Sequence, residues 1–216
     1  MMKLYSYWRS SAAYRVRIGL HLKGIAFEYV AVDLVKADGE QHGPHYAALN
    51  PQQLVPTLVD GDIVIGQSLA ILEYLDERFP APPLLPATHA ERARTRQVAL
   101  VIGADLHPLN NLRVLRYLET TYALDQTARR AWYHHWLKLE LDAAERLVDA
   151  SGPFALGAAV SLADMFIVPQ LYNARRYGFP LAPYPRLRRI DDACATLDAF
   201  ARARPECQPD APPEAG

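Results

Sequence analysis

Four prolines fall within the seven residues Pro80-Ala81-Pro82-Pro83-Leu84-Leu85-Pro86. No helix or central strand runs through such a stretch, because each proline lacks the N–H that both ladders need and fixes its own φ. The 216 residues are therefore expected to fold as two parts. The parts differ in pattern: before the break, short runs rich in β-branched and aromatic residues alternate with helical spacing, and after it almost everything has helical period. The spacing predicts one domain over 1–82 and an all-helical domain over 88–216.

Lys3 to Tyr7 reads as a strand, and Ala12/Ala13, Val16, Gly19 and Leu20 share one face of a helix running to about Lys23 and stopping at Gly24. Ser10 or Ser11 is placed to cap that helix. Two hydroxyls and Arg9 thus crowd a helix N-terminus, where free N–H groups and the dipole favour an anion. A serine there is also an ordinary cap, so the stretch takes its weight from residues further along the chain. Phe27 to Asp33 is a second strand, parallel to the first by the crossover rule. Residues 38–49 form a polar, weakly helical excursion.

In Leu54-Val55-Pro56-Thr57-Leu58-Val59 a proline stands at the mouth of a strand. With a cis Val55–Pro56 bond, the Val55 backbone would be left to pair with an extended ligand; a plain strand-start proline is the simpler alternative. Asp60-Gly61 before Ile63-Val64-Ile65 is a hairpin signal. Gln67-Ser68 then precedes Leu69, Leu72, Leu75 and Phe79 at helical spacing, with Ser68 as N-cap and a second N-terminus able to hold a carboxylate. The order β-α-β, β-β, α is a thioredoxin-like α/β layout without Cys-x-x-Cys, which argues against disulfide chemistry.

Beyond the prolines, Thr88 to about Tyr117 reads as a long amphipathic helix that Pro108 should kink or interrupt. Asp125 to Asp149 is another, with Trp132, Trp136, Leu139, Leu141, Ala144 and Leu147/Val148 as its core face. Ser161-Leu162-Ala163-Asp164 forms a capping box before a helix that Pro169 should interrupt. A final helix is expected over Arg186 to Arg202, followed by an extended or mobile tail. The net charge of -1 and the lack of a basic run argue against binding of a polyanion such as nucleic acid as the main purpose. Cys194 and Cys207 have no metal-ligand spacing and suit a reducing cytoplasm. No apolar run reaches the length of about 18 residues that a membrane span needs, and the N-terminus lacks a signal-peptide pattern.

These residues strongly resemble the zeta-class glutathione transferases, the maleylacetoacetate and maleylpyruvate isomerases. The likeness covers nearly the whole chain. Its marks include Tyr7-Trp8-Arg9-Ser10-Ser11 with Arg15-Val16-Arg17, Asn50-Pro51, Val55-Pro56-Thr57-Leu58, Gln67-Ser68, His107-Pro108-Leu109-Asn110-Asn111, Leu162-Ala163-Asp164 and Gln208-Pro209-Asp210-Ala211-Pro212. One position departs: Ala12 stands where the class usually has cysteine. The resemblance implies a thioredoxin-like N-terminal domain plus an all-α C-terminal domain, glutathione as cofactor, and a cytoplasmic homodimer with its cleft between the domains. It implies that Ser10, with Ser11, holds the glutathione thiolate at the helix end that Ala12 and Arg15 share. Val55 would pair with the tripeptide backbone, Gln67 and Ser68 with its γ-glutamyl carboxylate, and Gln41 with its glycyl end. His107, Asn111 and Arg113 would line the site from the helical side.

The implied reaction is cis–trans isomerisation of a maleyl compound in aromatic catabolism, by reversible addition of a thiolate to the double bond. Arg9 is the expected clamp for the substrate carboxylates, with Arg175 or Arg176 as a second cation. A general transferase or α-haloacid dehalogenase using the same thiolate is the alternative, and a non-catalytic glutathione-transferase-like module is the third reading.

Overall fold

Alternation decides the first strand: Met2, Leu4 and Ser6 are buried and Lys3 is exposed, so Met2–Ser6 (β1) lays one face on a core. In the computed structural model, which describes residues 1–215, Ser11–Leu22 (α1) follows, then Phe27–Ala31 (β2), Pro44–Leu49 (α2), Thr57–Asp60 (β3), Ile63–Gly66 (β4) and Ser68–Arg78 (α3). The sheet order is β2-β1-β3-β4. β2 is parallel to β1, with Met2 opposite Phe27 and Ser6 opposite Ala31. β3 is antiparallel to β1 from Tyr5–Thr57 to Lys3–Val59, and β4 is antiparallel to β3. This is the thioredoxin-like layout expected, with Gly61 at φ +60° in the hairpin turn.

Leu4 and Leu58 of the sheet are fully buried together with Val16, Ile18 and Leu20 of α1 and Ile71, Leu72 and Leu75 of α3, and α1 packs on α3. A second cluster joins Tyr7, Val32, Tyr46 and Val55, with Tyr5, Trp8, Leu34 and Leu49 against it.

Helices occupy the remainder: His89–Leu100 (α4), His107–Leu109 (α5), Leu112–Tyr122 (α6), Gln126–Leu147 (α7), Leu162–Arg176 (α8), Pro185–Ala195 (α9) and Asp198–Ala203 (α10). The chain divides into two compact units, residues 1–84 with 195–215, and Leu85–Cys194. The expected 88–216 domain is thus corrected: α10 packs on α1, and the tail after it is bonded to the first unit. The tail is neither extended nor loose, since it forms a tight turn at Pro205–Cys207 and Gln208 bonds the Arg202 and Arg204 carbonyls.

Further corrections lie in the helical unit. The helix expected from Thr88 to Tyr117 is interrupted after Pro108, one of the two outcomes expected there, but the irregularity begins earlier. A wide π-helical turn at Val101–Leu106 precedes Pro108, and Gly103 within it lies so close to the Phe166 ring that a Cβ would clash. A new helix then starts at Leu112, capped by Asn111. On α7 the core face is Tyr133, Leu137, Leu141 and Ala144; Trp132 and Trp136 are half-buried and Leu139 is 52 % exposed. Trp132 instead donates its indole N–H to the Leu109 carbonyl.

Pro169 does not interrupt α8. Burial of every residue from Leu162 to Leu171 outweighs the missing N–H, whose cost is about 3 kcal/mol. The expected capping box is present: the Asp164 carboxylate accepts from the Ser161 N–H at 2.8 Å, the Ser161 hydroxyl at 2.9 Å and the Ala155 N–H at 2.7 Å. Burial pushes this carboxyl up to about 6 although its hydrogen bonds favour the charged form. The final helix is two, α9 and α10, with a break at Thr196–Leu197.

Candidate active site

β1 runs into a tight turn in which the Ser10 N–H donates to the Tyr7 carbonyl at 3.0 Å. The turn delivers Ser10, not Ser11, as the cap of α1: its Oγ accepts from the Ala13 N–H at 3.2 Å. That bond uses an Oγ lone pair and leaves the Ser10 O–H to donate elsewhere. Ser11 follows as a buried first residue, and Ala12 is half-buried. No acidic residue stands in the first turn of α1, so its N-terminal dipole is not neutralised from within the turn. Arg9 lies with its guanidinium over the Trp8 ring, 5.4 Å from the centroid.

Val55 shares the apolar cluster of Tyr7 and Trp8, which precede Arg9 and Ser10 in the chain. The Val55–Pro56 bond is cis, and the ladder with β1 starts only at Thr57, so Val55 stands outside the ladder. Its place is set by the carbonyl before it. Leu54 O accepts from the Tyr46 hydroxyl at 2.6 Å and from the Asn50 amide at 2.9 Å, and both side chains also bond the Thr57 hydroxyl.

Ser68 is not the N-cap of α3. Gln67 holds that position at φ +65°, in the left-handed region, and donates its amide to Gln52 Oε1 at 2.7 Å. Ser68 is the first helical residue, and its Oγ accepts from the Arg15 guanidinium at 3.2 Å. Arg15 is 2 % exposed, and burial lowers its pKa to about 9. The Ser68 O–H is therefore left to donate elsewhere, as is that of Ser10. Gln41 is buried, with its amide against His42, whose other ring nitrogen meets Gln53 at 2.6 Å. Gly39, at φ +104°, leaves the space that the Gln41 side chain fills.

Arg9, Ser10, Ser11, Ala12, Arg15, Gln41, Val55, Gln67 and Ser68 thus belong to one unit. His107, Asn111, Arg113, Arg175 and Arg176 belong to the helical unit. There Asn111 caps α6 by accepting from the Arg113 N–H at 3.1 Å, His107 is half-buried, and Arg113 is exposed. Arg175 and Arg176 line a cavity of about 510 Å³ that also carries Arg129 and Arg130. Arg175 is ion-paired with Asp191, while Arg176 lies over the Tyr177 ring at 4.9 Å. Tyr177 itself stacks on Tyr133, with centroids 3.7 Å apart.

Sequence reasoning missed Tyr46, Asn50, Arg17 and Asp210. Asn50-Pro51 read as a chain break, yet Asn50 is 5 % exposed and bonds Leu54 and Thr57. Arg17 is 0 % exposed and bonds the Tyr7 and Trp8 carbonyls. The available signal was a charged residue, Arg17, set between the apolar Val16 and Ile18 in the buried stretch of α1.

Among the described residues, no helix is long and apolar enough to cross a membrane. Residues 1–77 match the family model for the glutathione S-transferase N-terminal domain. The chain is 47% identical over 213 residues to a maleylpyruvate isomerase of Ralstonia, covering 97% of this chain and 99% of that one. Its fold is similar to a holo structure of maleyl pyruvate isomerase, a zeta-class bacterial protein, with TM-score 0.94 and 46% identity over 97% of this chain and 100% of that one. It is also similar to a maleylacetoacetate isomerase of Anaeromyxobacter dehalogenans, solved with dicarboxyethyl glutathione and citrate in its active site; there the TM-score is 0.88, with 46% identity over 99% and 95% of the two chains.

Proposed function

We infer the reaction from one premise: the chain belongs to the zeta-class glutathione transferases, the family of the maleylacetoacetate and maleylpyruvate isomerases. It is a glutathione-dependent enzyme that isomerises a maleyl dicarboxylate from cis to trans. One observation carries this: a serine whose hydroxyl accepts from the Ala13 N–H, and so keeps its own O–H to donate, caps a helix end that holds no acidic residue, which is a seat for a thiolate.

The residues present fit the tripeptide. It has a thiol between two charged ends, and the first turns of α1 and α3 both lack acidic side chains. Ser68 offers a proton to a carboxylate, and the buried Gln41 Oε1, which has no protein partner, can accept from the N–H of the glycyl residue. When bound, glutathione supplies a thiolate whose reversible addition makes the double bond single and lets it rotate. Ser10 donates to the sulfur, and the N-terminus of α1 holds its pKa down. Ser68 and Gln67 take the γ-glutamyl carboxylate, Gln41 the glycyl end, and the Val55 backbone the middle. Ala12 brings no thiol of its own.

Arg9 binds a substrate carboxylate. Held by its face on Trp8, it keeps the N–H edge of its guanidinium for a ligand. Arg176 is assigned the second cation in preference to Arg175, which already has Asp191. His107, Asn111 and Arg113 are proposed to contact glutathione or substrate, Asn111 through the amide nitrogen that capping leaves over. A homodimer and a cytoplasmic setting belong to the same reading. The exposed Ile63 and Val64 on β4 and the free, exposed Cys207 support them, and light scattering checks the first.

Purified protein should isomerise maleylacetoacetate or maleylpyruvate only when glutathione is added, and should not consume it. Isomerisation without glutathione, or its stoichiometric loss, would overturn the assignment. Arg9→Ala is expected to raise KM for the dicarboxylate about tenfold, with the glutathione KM little changed. An equal loss on a neutral electrophile would remove Arg9 from the carboxylate.

A further inference from the structure

The turn that carries Ser10 is held from outside by a segment made much later in the chain. The Trp8 peptide is gripped on both sides by charged groups. Its N–H donates to Asp210 Oδ2 at 2.9 Å, and its carbonyl accepts from Arg17 Nη2 at 3.0 Å. Arg17 also bonds the Tyr7 carbonyl at 3.3 Å, the Ser6 hydroxyl at 3.2 Å and the Ala203 carbonyl at 3.1 Å, the last at the end of α10. The second oxygen of Asp210 accepts from the Tyr29 hydroxyl on β2 at 2.6 Å. All of these residues lie in the first unit.

Several features mark this as more than tail packing. Hydrogen bonds to ionised partners are about twice as strong as neutral ones and shorter. Three acceptors on the turn and its strand face one guanidinium that is 0 % exposed. Against β2 the tail leaves an open cavity of about 640 Å³, lined by His21, Tyr29, Arg202 and Pro209 among others, so polar bonds rather than continuous apolar contact fix it there. The Trp8 N–H takes its acceptor from this tail, and two residues further along the turn is the hydroxyl assigned to the thiolate.

We propose that Asp210 is a positioning residue for the isomerase: with Arg17 it clamps the Trp8 peptide and so fixes the Ser10 hydroxyl where the sulfur binds. This role rests on Ser10 being the donor to that sulfur. Misplacing such a donor by about 1 Å lowers turnover by up to about a hundredfold, while binding contacts elsewhere on the tripeptide are kept.

The test uses the full chain and glutathione itself. Asp210→Ala, Asp210→Asn, Ser10→Ala and the double variant Ser10→Ala/Asp210→Ala are compared for kcat, glutathione KM and the pKa of the bound thiol, the last read from ultraviolet thiolate absorbance. Asp210→Ala is expected to lower kcat about tenfold and to raise the bound-thiol pKa, with KM for glutathione within about threefold. Asp210→Asn can still accept from Trp8 through oxygen and donate to Tyr29 through nitrogen, and should recover most of the activity. In the Ser10→Ala background the second substitution should add less than about twofold, because it acts through the missing hydroxyl.

A folded Asp210→Ala protein with normal kcat and thiol pKa overturns the proposal, as does full additivity with Ser10→Ala. If Ser10→Ala alone leaves the thiol pKa unchanged, the Ser10 assignment fails first and takes this role with it, a result the single variants tell apart. Should the alanine protein not fold, Tyr29→Phe decides. It frees one carboxylate oxygen only, and a kcat reduced about threefold supports the clamp while an unchanged one overturns it.

Discussion

Ser10→Ala is expected to lower kcat about a hundredfold, the size of effect seen when one donor to a developing or bound anion is removed from a dry site. Glutathione KM should stay within about threefold, because the proposed contacts of Val55, Gln41, Gln67 and Ser68 are untouched. The pKa of the bound thiol should rise, since only the helix end remains to favour its charge. A modest loss of stability, about 1 kcal/mol, accompanies the lost cap on Ala13. Ser10→Thr keeps both the cap and the proton and should recover much of the rate. Ser11→Ala leaves the Ser10 cap in place and should cost far less. Steady-state kinetics on the three variants decides the matter: normal turnover in Ser10→Ala would move the thiolate to Ser11 or to the helix dipole alone.

The second large effect is on stability. Asp164→Ala should destabilise the helical unit by about 3 kcal/mol, because the Ser161 N–H, the Ser161 hydroxyl and the Ala155 N–H would all be left without their acceptor inside the core. For a chain of this size that lowers Tm by about 6–12 °C. Asp164→Asn keeps one acceptor but turns an NH₂ toward other donors, so it should fall between the two proteins. Thermal melts followed by circular dichroism give the answer, and a Tm within about 2 °C of the parent would show that the loop rearranges to satisfy its own donors.

Much of the fold was legible because it is written in short-range terms. The strand–helix–strand opening, the Asp60-Gly61 hairpin, the Ser10 cap and the Ser161/Asp164 box each need only a few adjacent residues. The misreadings occur where distant packing overrides the local signal. Pro169 sits in a helix because every neighbour from Leu162 to Leu171 is buried. On α7 both flanks carry large apolar residues, so the period alone pointed one residue away from Tyr133 and Leu137. Gln67 takes a left-handed backbone for which its residue type gives little warning, and Ser68, expected to cap, is occupied by Arg15 from another helix.

The candidate site shows the same division. Ser10 and Val55 stand out by cap and turn chemistry. Arg175 and Arg176 could not be ranked from sequence, because the Asp191 partner lies on a different helix. Asp210 stood only within a segment shared with the family, and nothing local paired it with the distant Trp8.

The bond from Asp210 to Trp8 joins residues separated by 202 positions. During synthesis the opening strand and helix therefore leave the ribosome long before their partner exists. A chain arrested just after α9 would hold its serine on an unclamped turn, however well its sheet had formed. On the Asp210 assignment, full catalytic competence arrives late and all at once, when Asp210 emerges and closes a loop that spans nearly the whole chain.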